Sequence, residues 1–301
     1  MADLARVALA TCAEVADGDE DTPALTAALR RRGIEAVPAT WSDPDVDWER
    51  FALVVVRSTW DYAERYPAYL AWLDAVPRLA NPAPVVRWST DKRYLAELAA
   101  RGVPVVPTAF VAPGERFEPP PGRFVVKPVV SAGGRRSASY RPERQAEALA
   151  HIAALHAEGQ TVIVQPYLDA VDADGETGLV YLGGAYSHAL RKGPLLAAET
   201  PPGTGLYLDE TIEPRTASAA ERELAAAALA ALPFPAGELL YARVDVAPGP
   251  AGAPLVLEVE LAEPSLYLWC DPGAAERLAA AIAGTLALDG GRVRHPRPPG
   301  P

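Results

Sequence analysis

Lysine is nearly missing from this chain: 301 residues hold 3 lysines against 25 arginines. A composition rich in Arg, Ala, Pro and Gly uses Arg wherever a surface charge suffices. Lys92, Lys127 and Lys192 are the exceptions, each either a chance survivor on a solvated face or a place where an ammonium does what a guanidinium does not. A compact charge on a flexible stem reaches a phosphate oxygen in a tight pocket that the planar Arg fork does not enter. Cysteine is scarcer still. Cys12 and Cys270 alone exclude a disulfide framework or a zinc knuckle. The 4 histidines (His151, His156, His188, His295) show no metal spacing. No apolar run approaches the ~20 residues that span a bilayer. Residues Met1 to Ala16 carry Asp3, Arg6 and Glu14 where a signal peptide would be apolar. Positive charge is also short, with a net charge of -11, which excludes the broad basic surface that nucleic acid demands. A soluble cytoplasmic protein binding neither nucleic acid nor membrane is expected; a small anionic ligand needs only a local cluster of cations and amides.

The length suffices for two or three subdomains with their own cores. Arg6 to Ala10 reads as a short apolar strand. After the acidic run Asp17 to Asp21, Thr22, Pro23 and Gly33 bracket a helix from Pro23 to Arg32. Phe51 to Val56 is a second strand, ending in Arg57-Ser58-Thr59-Trp60-Asp61-Tyr62. This strand–helix–strand opening favours a parallel sheet with polar residues at the strand ends. Asn81 to Pro84 reads as a linker and Asp91 to Arg101 as a helix with Lys92 in its first turn. Phe124 to Val130 is a strand, followed by a flexible loop, 131–137. Helix 143–157 and strand Thr161 to Val164 follow. Leu179 to Leu190 reads as a hairpin turning at Gly183-Gly184, and Gly193 to Arg215 as a mobile stretch. A helix from Ser218 to Leu232, a hairpin over 239–261 and a helix from Gly273 to Leu286 complete the chain. The Pro-rich end, 291–301, reads as a disordered tail.

The second hairpin carries the sharpest chemistry. Strand alternation puts Tyr241, Arg243 and Asp245 on one face, and Glu258 and Glu260 on one face of the partner strand. Three converging carboxylates repel unless a cation sits among them, and oxygen ligands without His or Cys suit magnesium. Alternating charge is also ordinary on a solvated strand face. Lys127 precedes a loop with Ser131, Gly133 and Gly134, whose amides could cradle phosphate, although this is no Walker A sequence. Gln165, Pro166, Tyr167 and Leu168 follow a buried strand, where backbone groups could read an adenine edge. At the N-terminal strand ends, Arg57 suits a carboxylate, Asp61 an amine, and Trp60 and Tyr62 a wall; Ser58, Thr11 and Cys12 stand beside them. A packed loop with an Arg57–Asp61 ion pair is the competing expectation. Cys12 reads as packing rather than a nucleophile, and Trp88, Tyr267 and Trp269 as core.

In this order, the pieces resemble the ATP-grasp superfamily over roughly residues 85–290. The resemblance implies an α/β (α+β) chain in which two α+β subdomains clamp ATP behind a small Rossmann-like domain. The expected divisions are 1–84 for that substrate domain, 85–168 for the central subdomain with its lid loop, and 169–290 for the C-terminal subdomain with its metal site. It implies that Lys92 and Lys127 contact the α/β-phosphates, that 131–137 forms the lid, and that Gln165 to Leu168 is the adenine hinge. Glu176 would bind ribose or neighbouring polar groups. Lys192, Arg243 and Arg191 would meet the γ-phosphate and the developing charge, and Asp245, Glu258 and Glu260 would hold Mg²⁺. Glu260 departs from the Glu-x-Asn of many members but keeps an oxygen ligand. Arg135 and Arg136 would reach phosphate or face solvent.

Arg-Ser-x-Trp-Asp-Tyr at 57–62 and Glu-Pro-Ser-Leu at 263–266 look like a group of compact bacterial ATP-grasp proteins. Their characterised activity is the ATP-dependent cyclisation of O-ureido-D-serine in antibiotic biosynthesis. The implied chemistry is carboxylate–amine ligation through an acyl phosphate, with ADP and phosphate released. Positioning and charge neutralisation dominate such phosphoryl transfer, so the lack of a Ser/His/Asp constellation is no obstacle. An intermolecular amino-acid ligase, an ATP-grasp kinase or phosphotransferase, and a nucleotide-binding protein without turnover are the alternatives. The expected partner is a small amino-acid-like substrate, with a homodimer or higher homo-oligomer left open.

Overall fold

The computed structural model describes residues 4–196, 206, 208, 210–250 and 252–290. The expected tail and much of the 193–215 stretch lie outside the described residues. Three sheets organise the described residues. The first comprises β1 (Ala5–Thr11), β2 (Ile34–Thr40), β3 (Leu53–Ser58) and β4 (Leu79–Ala80), in the order β2-β1-β3-β4 and parallel throughout. Every residue of β3 is buried, as a strand covered on both faces must be. On one side lies α1 (Thr22–Arg31), and on the other the aromatic-rich α2 (Tyr66–Ala75). Helix α1 starts one residue before its expected limit, and Gly33 follows it with φ +70.

The expected linker is a structural joint. Asn81, the single asparagine of the sequence, is fully buried. Its Nδ2 donates to Tyr241 O (2.9 Å) and Leu261 O (2.7 Å), and its Oδ1 accepts from Leu240 N–H at 2.7 Å. The chain continues through α3 (Ala83–Ser89) and α4 (Tyr94–Ala100). Lys92 precedes α4 instead of lying in its first turn.

The second sheet is antiparallel, with β5 (Ala109–Val111), β6 (Phe124–Pro128), β7 (Ala138–Tyr140) and β8 (Val162–Pro166) in the order β5-β8-β6-β7. Phe124, Val126, Val162 and Val164 pack on α5 (Gln145–Ala157), so Val125, Lys127 and Gln165 face the other way. After the short α6 (Val171–Asp174), the third sheet begins with β9 (Glu176–Leu182) and β10 (Ala185–Lys192). It adds β11 (Ile212–Arg215), β12 (Tyr241–Pro248) and β13 (Pro254–Glu260), antiparallel in the order β11-β10-β9-β12-β13. Helix α7 (Ala219–Ala230), opened by a Ser218–Glu221 capping box, packs on one face. Helix α8 (Ala274–Gly290) covers part of the other and joins it to α1. No helix among the described residues is long and apolar enough to cross a membrane.

Candidate active site

One face of the third sheet changes character along its strands. Val180, Leu182, Leu190 and Tyr241 pack into the apolar layer with α8. Farther along, Glu176, Lys192, Arg243, Asp245, Glu258 and Glu260 open on a cavity of about 740 Å³. The antiparallel register sets Arg243 opposite Glu260 and Asp245 opposite Glu258, so alternation brings these four groups to one place. Gly178 stands beside Asp245, where a Cβ would come within 3.2 Å of Asp245 Oδ1. A larger residue there would crowd the carboxylate.

The charges are densely paired. Arg243 donates from Nε to Asp245 Oδ1 (2.8 Å), from Nη2 to Asp245 Oδ2 (2.9 Å) and Glu260, and from Nη1 to Ser265 O (2.7 Å). Lys192 Nζ lies 3.1 Å from Asp245, 3.4 Å from Glu176 and 3.5 Å from Glu210. Burial opposes the Lys192 charge, but Asp245, Glu210 and Glu176 outweigh it and hold the ammonium well above its ordinary pKa. Asp245 also resists burial: Arg243 and Lys192 bring it down to about 2. Lys92 Nζ donates to Ser131 O (2.6 Å) and lies 3.0 Å from Glu258. Lys127 differs. Its ammonium borders the cavity with no hydrogen bond or ion pair among the described residues, and burial pushes its pKa down. A half-buried cation without a carboxylate favours an incoming anion.

From the second sheet and its loop, Ser131, Gly133, Gly134 and the Gln165–Leu168 segment also border the cavity. Ser131 O accepts from Tyr62 Oη (3.1 Å), and Gly133 O accepts from Leu208 N–H (3.0 Å). Arg135 pairs with Glu64 and Arg136 with Glu158, and neither borders the cavity. Tyr167 N–H is engaged by Arg123 O at 2.9 Å, so that hinge amide is not open to a ligand.

Several residues that the sequence pattern points to lie elsewhere. Arg191 is off the cavity because alternation turns it to the opposite face from Lys192, where it bonds Asp174 O (2.9 Å) and Ala173 O (3.1 Å). Arg57 is fully buried beneath the cavity wall. It pairs with Asp19 (2.7 Å) and Asp21 (3.3 Å), not with Asp61. Asp61 instead accepts from Trp41 Nε1 at 2.6 Å, and Ser58 meets Thr11 at 2.8 Å. Cys12 is buried, and burial pushes its thiol up to about 11, which suits packing and not a nucleophile. Trp60 and Tyr62 do border the cavity. So do Asp19, Glu20, Asp21, Glu210 and Glu263, together with Tyr267 and Trp269, whose expected place was the core. Trp269 is half exposed there, at 50%. The acidic run is visible in the sequence, but its pairing with Arg57 is not.

The donor set for a divalent cation is all oxygen. Among the described residues, no group of three His, Cys, Asp or Glu side chains is gathered around one point, because Asp245, Glu258 and Glu260 are each drawn onto a cation. Burial nevertheless raises Glu260 to about 7, with Glu258 and Asp245 adding to the crowding despite Arg243. A divalent cation relieves such crowding, so these residues fit one.

Three sheets around a cavity of cations and carboxylates give the protein the ATP-grasp fold. The crystal structure of D-alanine–D-alanine ligase from Bacillus anthracis complexed with ATP shares the fold with a TM-score of 0.64 at 17% identity, covering 94% of this chain and 98% of that one. A family model for the N-terminal domain of D-cycloserine synthetase DcsG matches residues 7–81. The cycloserine biosynthesis protein DcsG of Streptomyces lavendulae is 42% identical over 297 residues, covering 93% of this chain and 98% of the relative. The crystal structure of D-cycloserine synthetase DcsG aligns with a TM-score of 0.85 at 41% identity, covering 93% of this chain and 99% of that one. The chain belongs to the DcsG family and is an ATP-dependent ligase.

Proposed function

We propose that this ligase closes O-ureido-D-serine to D-cycloserine: ATP phosphorylates the substrate's own carboxylate, and its own nitrogen displaces phosphate. The observation that carries the reading is the convergence of Lys92, Lys127, Lys192 and Arg243 on one cavity that also has an aromatic wall, Trp60, Tyr62 and Trp269. Full-length likeness to DcsG supports the substrate. An intramolecular attack needs no second amine pocket.

In this reading, Lys127 and Lys92 hold the nucleotide phosphates, with the 131–137 loop above them and Gln165 to Leu168 against the base. Lys192 and Arg243 stabilise the phosphoryl group in transit. Asp245, Glu258 and Glu260 would hold Mg²⁺, which supplies charge neutralisation on the phosphates when bound. Glu176, paired with Lys192, positions that ammonium. Arg57 acts by holding Asp19 and Asp21 at the amino-acid end. The test is ADP release across a panel of amino acids that includes O-ureido-D-serine, with hydroxylamine added to trap the acyl phosphate as a hydroxamate. A stably phosphorylated product without hydroxamate would mean a kinase instead.

A further inference from the structure

Among the described residues, nine carboxylates border the cavity, and nearly all are held by a cation. Arg57 holds Asp19 and Asp21; Lys192 holds Glu176, Glu210 and Asp245. Lys92 holds Glu258, and Arg243 holds Glu260. Glu20 is exposed at the rim. Glu263 alone of the nine is buried, at 8% exposure, without a hydrogen bond or ion pair to its side chain among the described residues. Its backbone O accepts from Trp60 Nε1 at 3.2 Å. That places it three residues beyond Glu260, between the phosphate-handling cluster and the aromatic wall. Among the described residues no histidine borders the cavity, and Tyr62 already donates to Ser131.

Resting on the ligase reading above, we propose that Glu263 is the catalytic residue that takes the proton from the attacking nitrogen. The nitrogen bonded to oxygen in the ureido group attacks the acyl carbon, and its N–H proton passes to the Glu263 carboxylate. The C–O bond to phosphate breaks, and its electron pair leaves with phosphate. The carbamoyl group on that nitrogen is released in a later hydrolytic step. Asp245, paired with Arg243 and Lys192, is held at about 2 and accepts protons poorly, and Glu260, itself raised to about 7, is committed to Arg243. Glu263 differs, since burial and the nearby Glu260 charge push it up to about 8, the range that suits a general base near neutral pH.

The experiment uses full-length enzyme with ATP, Mg²⁺ and O-ureido-D-serine, with and without hydroxylamine. Hydroxylamine is a neutral nucleophile and needs no enzymic base. Glu263→Gln is therefore expected to form hydroxamate within about twofold of wild type while cyclic product falls about 100-fold or more. The ratio of cyclic product to hydroxamate does not depend on how much enzyme is folded. Glu263→Asp, which keeps a shorter carboxylate, is expected to recover part of that ratio. An unchanged ratio in Glu263→Gln, or equal ratios in the Asp and Gln variants, overturns the proposal. Parallel loss of hydroxamate and product assigns Glu263 to the phosphoryl-transfer half and also overturns it. A wild type that gives cyclic product but no hydroxamate overturns the acyl-phosphate reading and this proposal with it.

Discussion

Asp21 offers a test of the buried charge beneath the site that is independent of activity. Its carboxylate accepts from Leu268 N–H at 2.6 Å and lies 3.3 Å from Arg57, at 2% exposure. Burial dominates its titration: despite Arg57, the carboxyl rises from its ordinary 3.8 to about 6, with Asp19 adding to the rise. A raised acid binds its proton more tightly in the fold than in the unfolded chain. Its contribution is therefore fully present below 3.8 and is lost as pH rises through about 6. Above that range the penalty on the ionised form is about 3 kcal/mol. Asn keeps an oxygen for Leu268 N–H and Arg57 and carries no charge, so Asp21→Asn resembles the protonated native residue. The variant is expected to gain about 1 kcal/mol over wild type at pH 4.5 and about 3 kcal/mol at pH 8. Urea unfolding at the two pH values measures this difference. A gain that does not grow with pH, or a loss at pH 8, would refute the reasoning. It would mean that the ion pair with Arg57 outweighs burial.

Two further predictions concern the site's cations. Lys127→Arg keeps the charge but is expected to lose at least about tenfold in ADP release, because the wider fork does not fit where the ammonium stands; wild-type turnover would make Lys127 an ordinary charge. Arg191→Ala is expected to stay within about twofold of wild type, whereas Lys192→Ala strips the cation from Asp245, Glu176 and Glu210 and is expected to lose both turnover and about 3–5 kcal/mol of stability. Equal losses in ADP release and urea stability would contradict the placement of the two side chains on opposite faces of β10.

Much of the fold is legible in the sequence because it depends on local patterns. The apolar run at Val54 to Val56 and the β12–β13 alternation each place side chains on a face from neighbouring residues alone. Lys127 is legible by the same rule, since it alternates with Val126 and so avoids the α5 core. Arg191 shows the rule's use and its neglect: the period that puts Lys192 in the cavity excludes its neighbour. The Asn81 joint reads as a linker because Asn-Pro marks turns in most settings. Its actual role depends on carbonyls and an amide 159 to 180 residues away.

The charged groups are harder to assign, for a physical reason. A carboxylate's behaviour in a buried site depends on which cation reaches it, and ion pairs here join distant segments: Arg57 with Asp19, Lys92 with Glu258, Lys192 with Asp245. Strand alternation sets the faces of Asp245, Glu258 and Glu260 but does not show that each meets a cation. Nor does it single out Glu263, which lies beyond β13 and whose side chain meets no cation among the described residues. Burial then separates them further. Arg243 and Lys192 bring Asp245 down to about 2, whereas burial and the Glu260 charge push Glu263 up to about 8, although the two carboxylates share one cavity. Such a spread is how one site can keep some carboxylates permanently charged and leave another able to exchange a proton. Which residue does which follows from the long-range pairing and not from residue type.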